Sequence, residues 1–115
     1  MAHNIYQISF QSIYVLYQAK VEKKGRTVAE LNQVICWMTG YSETQLKELL
    51  ETDMNFRDFF EKAPEMNEKR ILITGKICGV QIEEIQDPLM KEIRYLDKLV
   101  DELAKGRAMS KILRE

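Results

Sequence analysis

The sequence predicts an all-α fold: a compact single-domain bundle of five to six helices over residues 1–115, with corners of helix-turn-helix type. Three observations predict it. Apolar residues recur at spacings of three and four through most of the chain. Ser9, Thr27, Ser42, Asn55 and Asp87 each stand where a helix would need an N-cap. Glycines at 25, 40 and 106 fall where the periodic runs end. A chain of 115 residues is also the size of one domain with its own core.

The elements follow in order. Phe10, Ile13, Tyr14, Tyr17 and Val21 share one helical face, which predicts a first helix over 10–24, capped by Ser9 and ended by Gly25. Thr27 and Glu30 form a capping box for a second helix carrying Leu31, Val34, Ile35 and Met38 inward, closed by Gly40. Ser42 and Gln45 make another box for a third helix with Leu46, Leu49 and Leu50 inside. Asn55 caps a short fourth helix anchored by Phe56, Phe59 and Phe60 and stopped by Pro64.

Residues 66–86 fit two readings. A helix to about residue 77, a corner at Gly79 and a short helix to 86 is favoured. The alternation Ile71/Ile73 and Cys78/Val80/Ile82 instead suits a short strand pair within 70–82. Asp87 and Pro88 then open the last long helix. Its seam of Leu89, Ile93, Leu96, Val100 and Leu103 is expected to face the core, with dimerisation through it as a second use. Lys98–Glu102 and Asp101–Lys105 are expected as solvent-side pairs, and one short turn is expected after Gly106.

Charge narrows the function classes. The net charge is −1, but residues 1–26 carry +3, residues 27–68 carry −6 and residues 69–115 carry +2. This balance speaks against a strongly basic nucleic-acid binder. No run approaches the ~18 apolar residues of a membrane span, and "MAHNIYQISF" lacks the features of a signal peptide. Cys36 and Cys78 sit among apolar neighbours and are read as buried free thiols, which points to a reducing, cytoplasmic setting.

Few motifs carry chemistry. His3 is the sole histidine, so histidine triads and zinc sites are not expected, and neither common phosphate-binding glycine loop is present. No cofactor or metal is expected. Glu83/Glu84 and Asp101/Glu102 read as solvated helix faces.

The stretch "VICWMTGYSETQL" has the small residue, turn glycine and locking apolar positions of a helix-turn-helix at Cys36, Gly40, Tyr41, Leu46 and Leu49. In a nucleic-acid reading Ser42, Thr44 and Lys47 would face the duplex, with phosphate contacts from Lys23, Lys24 and Arg26. Glu43, Glu48 and Glu51 would face the same polyanion, so a plain core corner ranks above it. A ligand pocket or interface could instead use Tyr14, Tyr17, Trp37, Tyr41 and Arg94, with Arg94 also placed to clamp Asp97.

The segments "YQISFQSIYVLYQAKVEKKGRT", "VICWMTGYS" and "ITGKICGVQIEEIQDPLMKEIRYLDKLVDELAKGRAMSKILR" together resemble a family of small bacterial proteins known only as a domain of unknown function. The resemblance covers nearly the whole chain and implies a stand-alone bacterial cytosolic protein. It brings no activity, substrate or site residue, and "ETDMNFRDFFEKAPEMNEK" is its variable part. The sequence thus favours a non-catalytic module that binds another protein or itself. A helix-turn-helix DNA binder ranks second, and a small-ligand binder or enzyme third. No membrane or metal partner is expected. An exposed apolar patch would favour the first, a cationic stripe the second, and a pocket joining Arg94 to tyrosines the third.

Overall fold

The computed structural model describes residues 5–114, so His3 lies outside the described residues. Six α-helices are present among them: α1 (Phe10–Lys23), α2 (Val28–Thr39), α3 (Glu43–Leu49), α4 (Phe56–Glu61), α5 (Pro88–Ala104) and α6 (Met109–Ile112). Between α4 and α5 run a 3-10 turn (Glu68–Leu72), a two-stranded hairpin of β1 (Lys76–Ile77) and β2 (Val80–Gln81), and a second 3-10 turn (Ile82–Glu84).

The caps act as their chemistry dictates. Both capping boxes form, with the Thr27 hydroxyl accepting from the Glu30 amide and the Ser42 hydroxyl from the Gln45 amide. Ser9 and Asn55 cap α1 and α4 and pair with each other in an isolated antiparallel bridge. That bridge sets the two helix starts side by side, so Phe10 stacks on Phe59 at 3.7 Å and 4° while Phe56 flanks it at 5.7 Å.

Helix α5 is the central strut, packed by α1, α2, α4 and α6. Ile93, Leu96, Val100 and Leu103 of the expected seam are buried, and Tyr95, Leu99 and Ala104 are buried beside them. The apolar face is wider than a heptad seam because helices cover α5 from several sides. Leu89, at the first turn, is only half-buried. From Ile93 to Leu103 the seam is therefore covered within the chain.

Residues 66–86 depart from the favoured helical expectation. Gly79 does not make a helix corner. It forms a two-residue hairpin turn with Cys78, both at positive φ (76° and 53°), in the register Ile77↔Val80. The strand pair expected within 70–82 is present, but not the alternation that suggested it: Ile73, Ile77 and Ile82 are buried while Ile71 and Cys78 are exposed. Arg70 fixes the segment to α5 through both Glu92 oxygens at 2.8 and 2.9 Å, and the Lys98 ammonium donates to the Lys76 carbonyl at 3.0 Å.

Two more expectations are corrected. Cys78 is exposed at the hairpin tip and Cys36 is half-buried, so neither is a fully buried thiol. Glu102 does not pair with Lys98 on the solvent side. It is buried and receives Arg107 at 3.0 Å and Arg114 at 2.8 Å, latching the segment after Gly106 onto α5. The expected Asp101–Lys105 pair does form, at 3.0 Å, and Asp101 also takes Lys20 at 3.2 Å.

Candidate functional site

The corner between α2 and α3 turns on Gly40, whose φ of 81° is the left-handed conformation expected of a helix-ending glycine. The chain after α4 comes back across this corner. Glu65 N donates to the Thr39 carbonyl (3.1 Å), Asn67 N to Met38 (2.9 Å) and the Asn67 side-chain amide to Trp37 (3.2 Å). Three open carbonyls at the end of α2 are thus satisfied by residues 65–67. The fit is close: a Cβ on Gly40 would lie 2.7 Å from both the nitrogen and the oxygen of the Glu65 backbone.

This crossing leaves a groove of about 630 Å³ walled by Trp37, Gly40, Pro64, Met66, Glu68 and Lys69. A shallower recess of about 320 Å³ lies on the other side of Pro64, between Tyr41, Leu49 and Met54, with Glu48 and Lys62 at its edge. Ile71 and Leu72, on the 3-10 turn that leaves the groove, are 68% and 50% exposed. With Val15 (48%) and Leu16 (66%) on α1, they are the large exposed apolar side chains among the described residues.

The residues of the nucleic-acid reading are not gathered. Ser42 is used as a cap; Thr44 and Lys47 are exposed on α3, a helix of seven residues. Lys23 and Lys24 are exposed at the far end of the molecule's layout along α2, since α2 starts just after them and ends at the corner. Twelve residues at 1.5 Å each put about 18 Å between the two ends. Arg26 is engaged, giving Nε and Nη2 to Glu30 (3.2 and 2.9 Å) and Nη1 to the Arg107 carbonyl (3.0 Å). Glu43, Glu48 and Glu51 are exposed around α3 and make no ion pair among the described residues.

Nor do the aromatic candidates share one pocket. The Tyr14 hydroxyl donates to Asn32 at 2.6 Å and Tyr41 donates to the Phe59 carbonyl at 2.6 Å. Tyr17 donates to Asp97 at 2.6 Å, and Arg94 donates to the other Asp97 oxygen at 2.9 Å. Arg94 is therefore joined to a tyrosine, through the carboxylate it was expected to clamp. Its Nε is buried without a partner among the described residues. Burial, and then the Asp97 charge, raises the Tyr17 phenol well above its ordinary range, and burial pushes Tyr41 up to about 12. Burial also raises Tyr14 and the Cys36 thiol. These groups stay protonated at neutral pH and serve as fixed donors or packing, which is not the behaviour of an acid–base pair.

Two features went unseen in the sequence. The Ile71–Leu72 ridge was masked by its apparent strand alternation. The groove arises because residues 65–67 lie over the end of α2, and only Asn67, a turn-forming residue after Pro64, hinted at a turn there.

Residues 4–114 match the family described as an uncharacterized protein conserved in bacteria, DUF2200. The chain belongs to this family. The chain is also similar to a crystal structure of uncharacterized protein SP1917, with a TM-score of 0.92 and 49% identity, over 98% of this chain and 93% of that one. No curated protein matches the chain significantly. No helix among the described residues is long and apolar enough to cross a membrane.

Proposed function

We propose that this DUF2200 protein is a non-catalytic module that binds a polypeptide through the Gly40-corner groove and the ridge beside it. One observation carries the reading: Ile71 and Leu72 are adjacent, largely exposed, and stand on the turn that borders the groove. Exposed apolar residues scattered singly need no explanation, but a pair at the lip of a groove is a place for a partner's side chains. The two recesses hold Glu48, Glu65 and Glu68 with Lys62 and Lys69, a rim of both signs that can pair a partner's charged residues beside its apolar ones. Such a mixed rim is not the cationic surface a duplex needs, and Lys23 and Lys24 stand at the opposite end of α2, about 18 Å along it.

The test is an amide NMR titration of the labelled protein with a synthetic amphipathic Leu/Lys peptide, and separately with a mixed-sequence DNA duplex at low salt. Shifts from the peptide clustered on residues 37–41 and 64–72, lost in Ile71→Asp with Leu72→Asp, are expected. Peptide-silent spectra, or shifts confined to residues 42–49 with DNA, would overturn the reading.

A further inference from the structure

Positive charge is gathered at the end of the molecule where α1 and α5 both finish. Asp101 takes Lys20 at 3.2 Å and Lys105 at 3.0 Å, which ties the two helix ends together. Next to it Glu102 takes Arg107 and Arg114, and Arg26, paired with Glu30, donates to the Arg107 carbonyl at 3.0 Å. Asp101 and Glu102 thus serve two cations each. Lys23, Lys24 and Lys111 add three exposed lysines with no ion pair among the described residues, against one exposed carboxylate, Glu22. Eight cations therefore meet four carboxylates here, on a chain whose net charge is −1; Glu115 lies outside the described residues. The negative end of a helix attracts cations, but the last turn of α5 holds none, so the helix dipoles account for only part of the excess.

Exposed apolar side chains that the groove does not use adjoin this charge. Leu16 is 66% exposed and Val15 48%. Leu16, Lys20 and Lys23 follow at spacings of four and three, so they lie along one line of α1, with Ala19 exposed beside them. Glu22 stands one heptad on from Val15, at the edge of that stripe.

We infer that this end of the molecule docks on an anionic lipid bilayer, with Leu16 at the boundary of the acyl chains and the lysines among the headgroup phosphates. The inference is independent of the groove. It departs from the expectation of no membrane partner, which rested on the lack of a spanning run; a surface contact needs none. A nucleic acid would use the same cations, and two observations favour the bilayer. The arginines here are committed to Glu30 and Glu102, so the cations left over are lysines, point charges that meet phosphate without the fork that reads a base edge. A phosphate backbone also offers nothing to an exposed leucine, whereas the headgroup boundary takes apolar and basic side chains together. An acidic polypeptide would be better served by a groove, and neither recess includes a residue of this end. The other described residues carry four more carboxylates than cations, which turns this end toward a negative surface.

Vesicle co-sedimentation of the full chain tests this, with vesicles of phosphatidylcholine alone and of equal parts phosphatidylcholine and phosphatidylglycerol. The protein should pellet with the anionic vesicles only, and be released as salt is added. Lys23→Gln with Lys24→Gln should lower the partition about thirtyfold with unchanged circular dichroism. Leu16→Ser should lower it about tenfold without altering any charge. Lys47→Gln, at an exposed lysine on α3, should leave it as it was. Failure to pellet with anionic vesicles at low salt overturns the inference, as does equal pelleting with neutral ones. So does a partition that Leu16→Ser or the double lysine variant leaves unchanged, or that Lys47→Gln lowers as much. Binding of a mixed-sequence DNA duplex that ignores Leu16→Ser, with no vesicle pelleting, would give these cations to nucleic acid instead.

Discussion

Replacing Gly40 by alanine separates two costs that glycine hides. The first is conformational: at φ 81° a Cβ clashes with its own backbone, about 1–2 kcal/mol. The second is tertiary, because the new Cβ would stand 2.7 Å from the Glu65 nitrogen and oxygen, which are backbone atoms that cannot rotate away. Residues 64–67 must move, loosening the bonds from Glu65 N to Thr39 and from Asn67 N to Met38, about 0.5–1.5 kcal/mol each. Gly40→Ala should therefore cost about 2–5 kcal/mol. Gly25 supplies the control, since its φ is 84° but nothing lies within 4 Å of the Cβ position. Gly25→Ala should cost only the conformational part, about 1–2 kcal/mol. With an unfolding entropy of about 240 cal/mol/K for a chain of this length, each kcal/mol is worth about 4 °C in Tm. Calorimetry should show the Gly40 variant melting well below the Gly25 variant. Hydrogen exchange should find the Glu65 and Asn67 amides unprotected in the former alone. Equal melting temperatures, with both amides still protected, would refute the close approach of 64–67 to the corner.

Other perturbations test the core and the latch. Leu96→Ala should cost about 2–5 kcal/mol in denaturant melts, as full burial on the central helix requires, and a near-neutral result would displace the packing of α5. Glu102→Gln should release Arg107 and Arg114, cost up to about 3 kcal/mol, and remove exchange protection from α6 before the rest of the fold. Tyr41 ionises near 10 when unfolded and about 12 when folded, so its contribution is intact below pH 10 and is lost as pH rises from 10 to 12. At about 1.36 kcal/mol per pH unit the loss is about 2.3 kcal/mol at pH 12 and levels off near about 2.7 kcal/mol above it. Urea melts of Tyr41→Phe should show a shallower alkaline decline than the wild type.

Local chemistry made much of this fold legible. A capping box requires only two residues three apart, and a left-handed helix end only a glycine, so α1 to α5 could be read from Ser9, Thr27, Ser42, Asn55, Asp87, Gly25 and Gly40. Residues 66–86 could not, because Ile71, Ile73, Ile77, Val80 and Ile82 satisfy both apolar periods over so short a run. What decides their path is the Arg70–Glu92 pair and the Lys98 bond to the Lys76 carbonyl, each across 22 residues. Glu102 misled for a similar reason: on the helix it is one of a pair of adjacent carboxylates, and only Arg107 and Arg114 beyond Gly106 make its burial affordable. The candidate residues were identified one at a time, but not their grouping. Tyr17 and Asp97 meet across 80 residues, and the groove exists only because 65–67 lie over α2.

The corner has the parts of a helix-turn-helix, and charge is what bears on whether it meets DNA. The same glycine and caps serve any tight helix corner. A DNA reader needs an excess of cationic surface there besides, and here Glu43, Glu48, Glu51, Glu65 and Glu68 are exposed beside Lys47, Lys62 and Lys69. Salt does not separate a DNA reading from a groove that binds a basic peptide, because it weakens phosphate contacts and Lys–Glu contacts alike. Charge reversal does. Glu65→Lys with Glu68→Lys removes repulsion from a duplex and should raise DNA affinity if the corner reads DNA, whereas it should weaken binding of a Leu/Lys peptide if the groove takes a polypeptide. The sign of one double variant in two assays therefore decides between them.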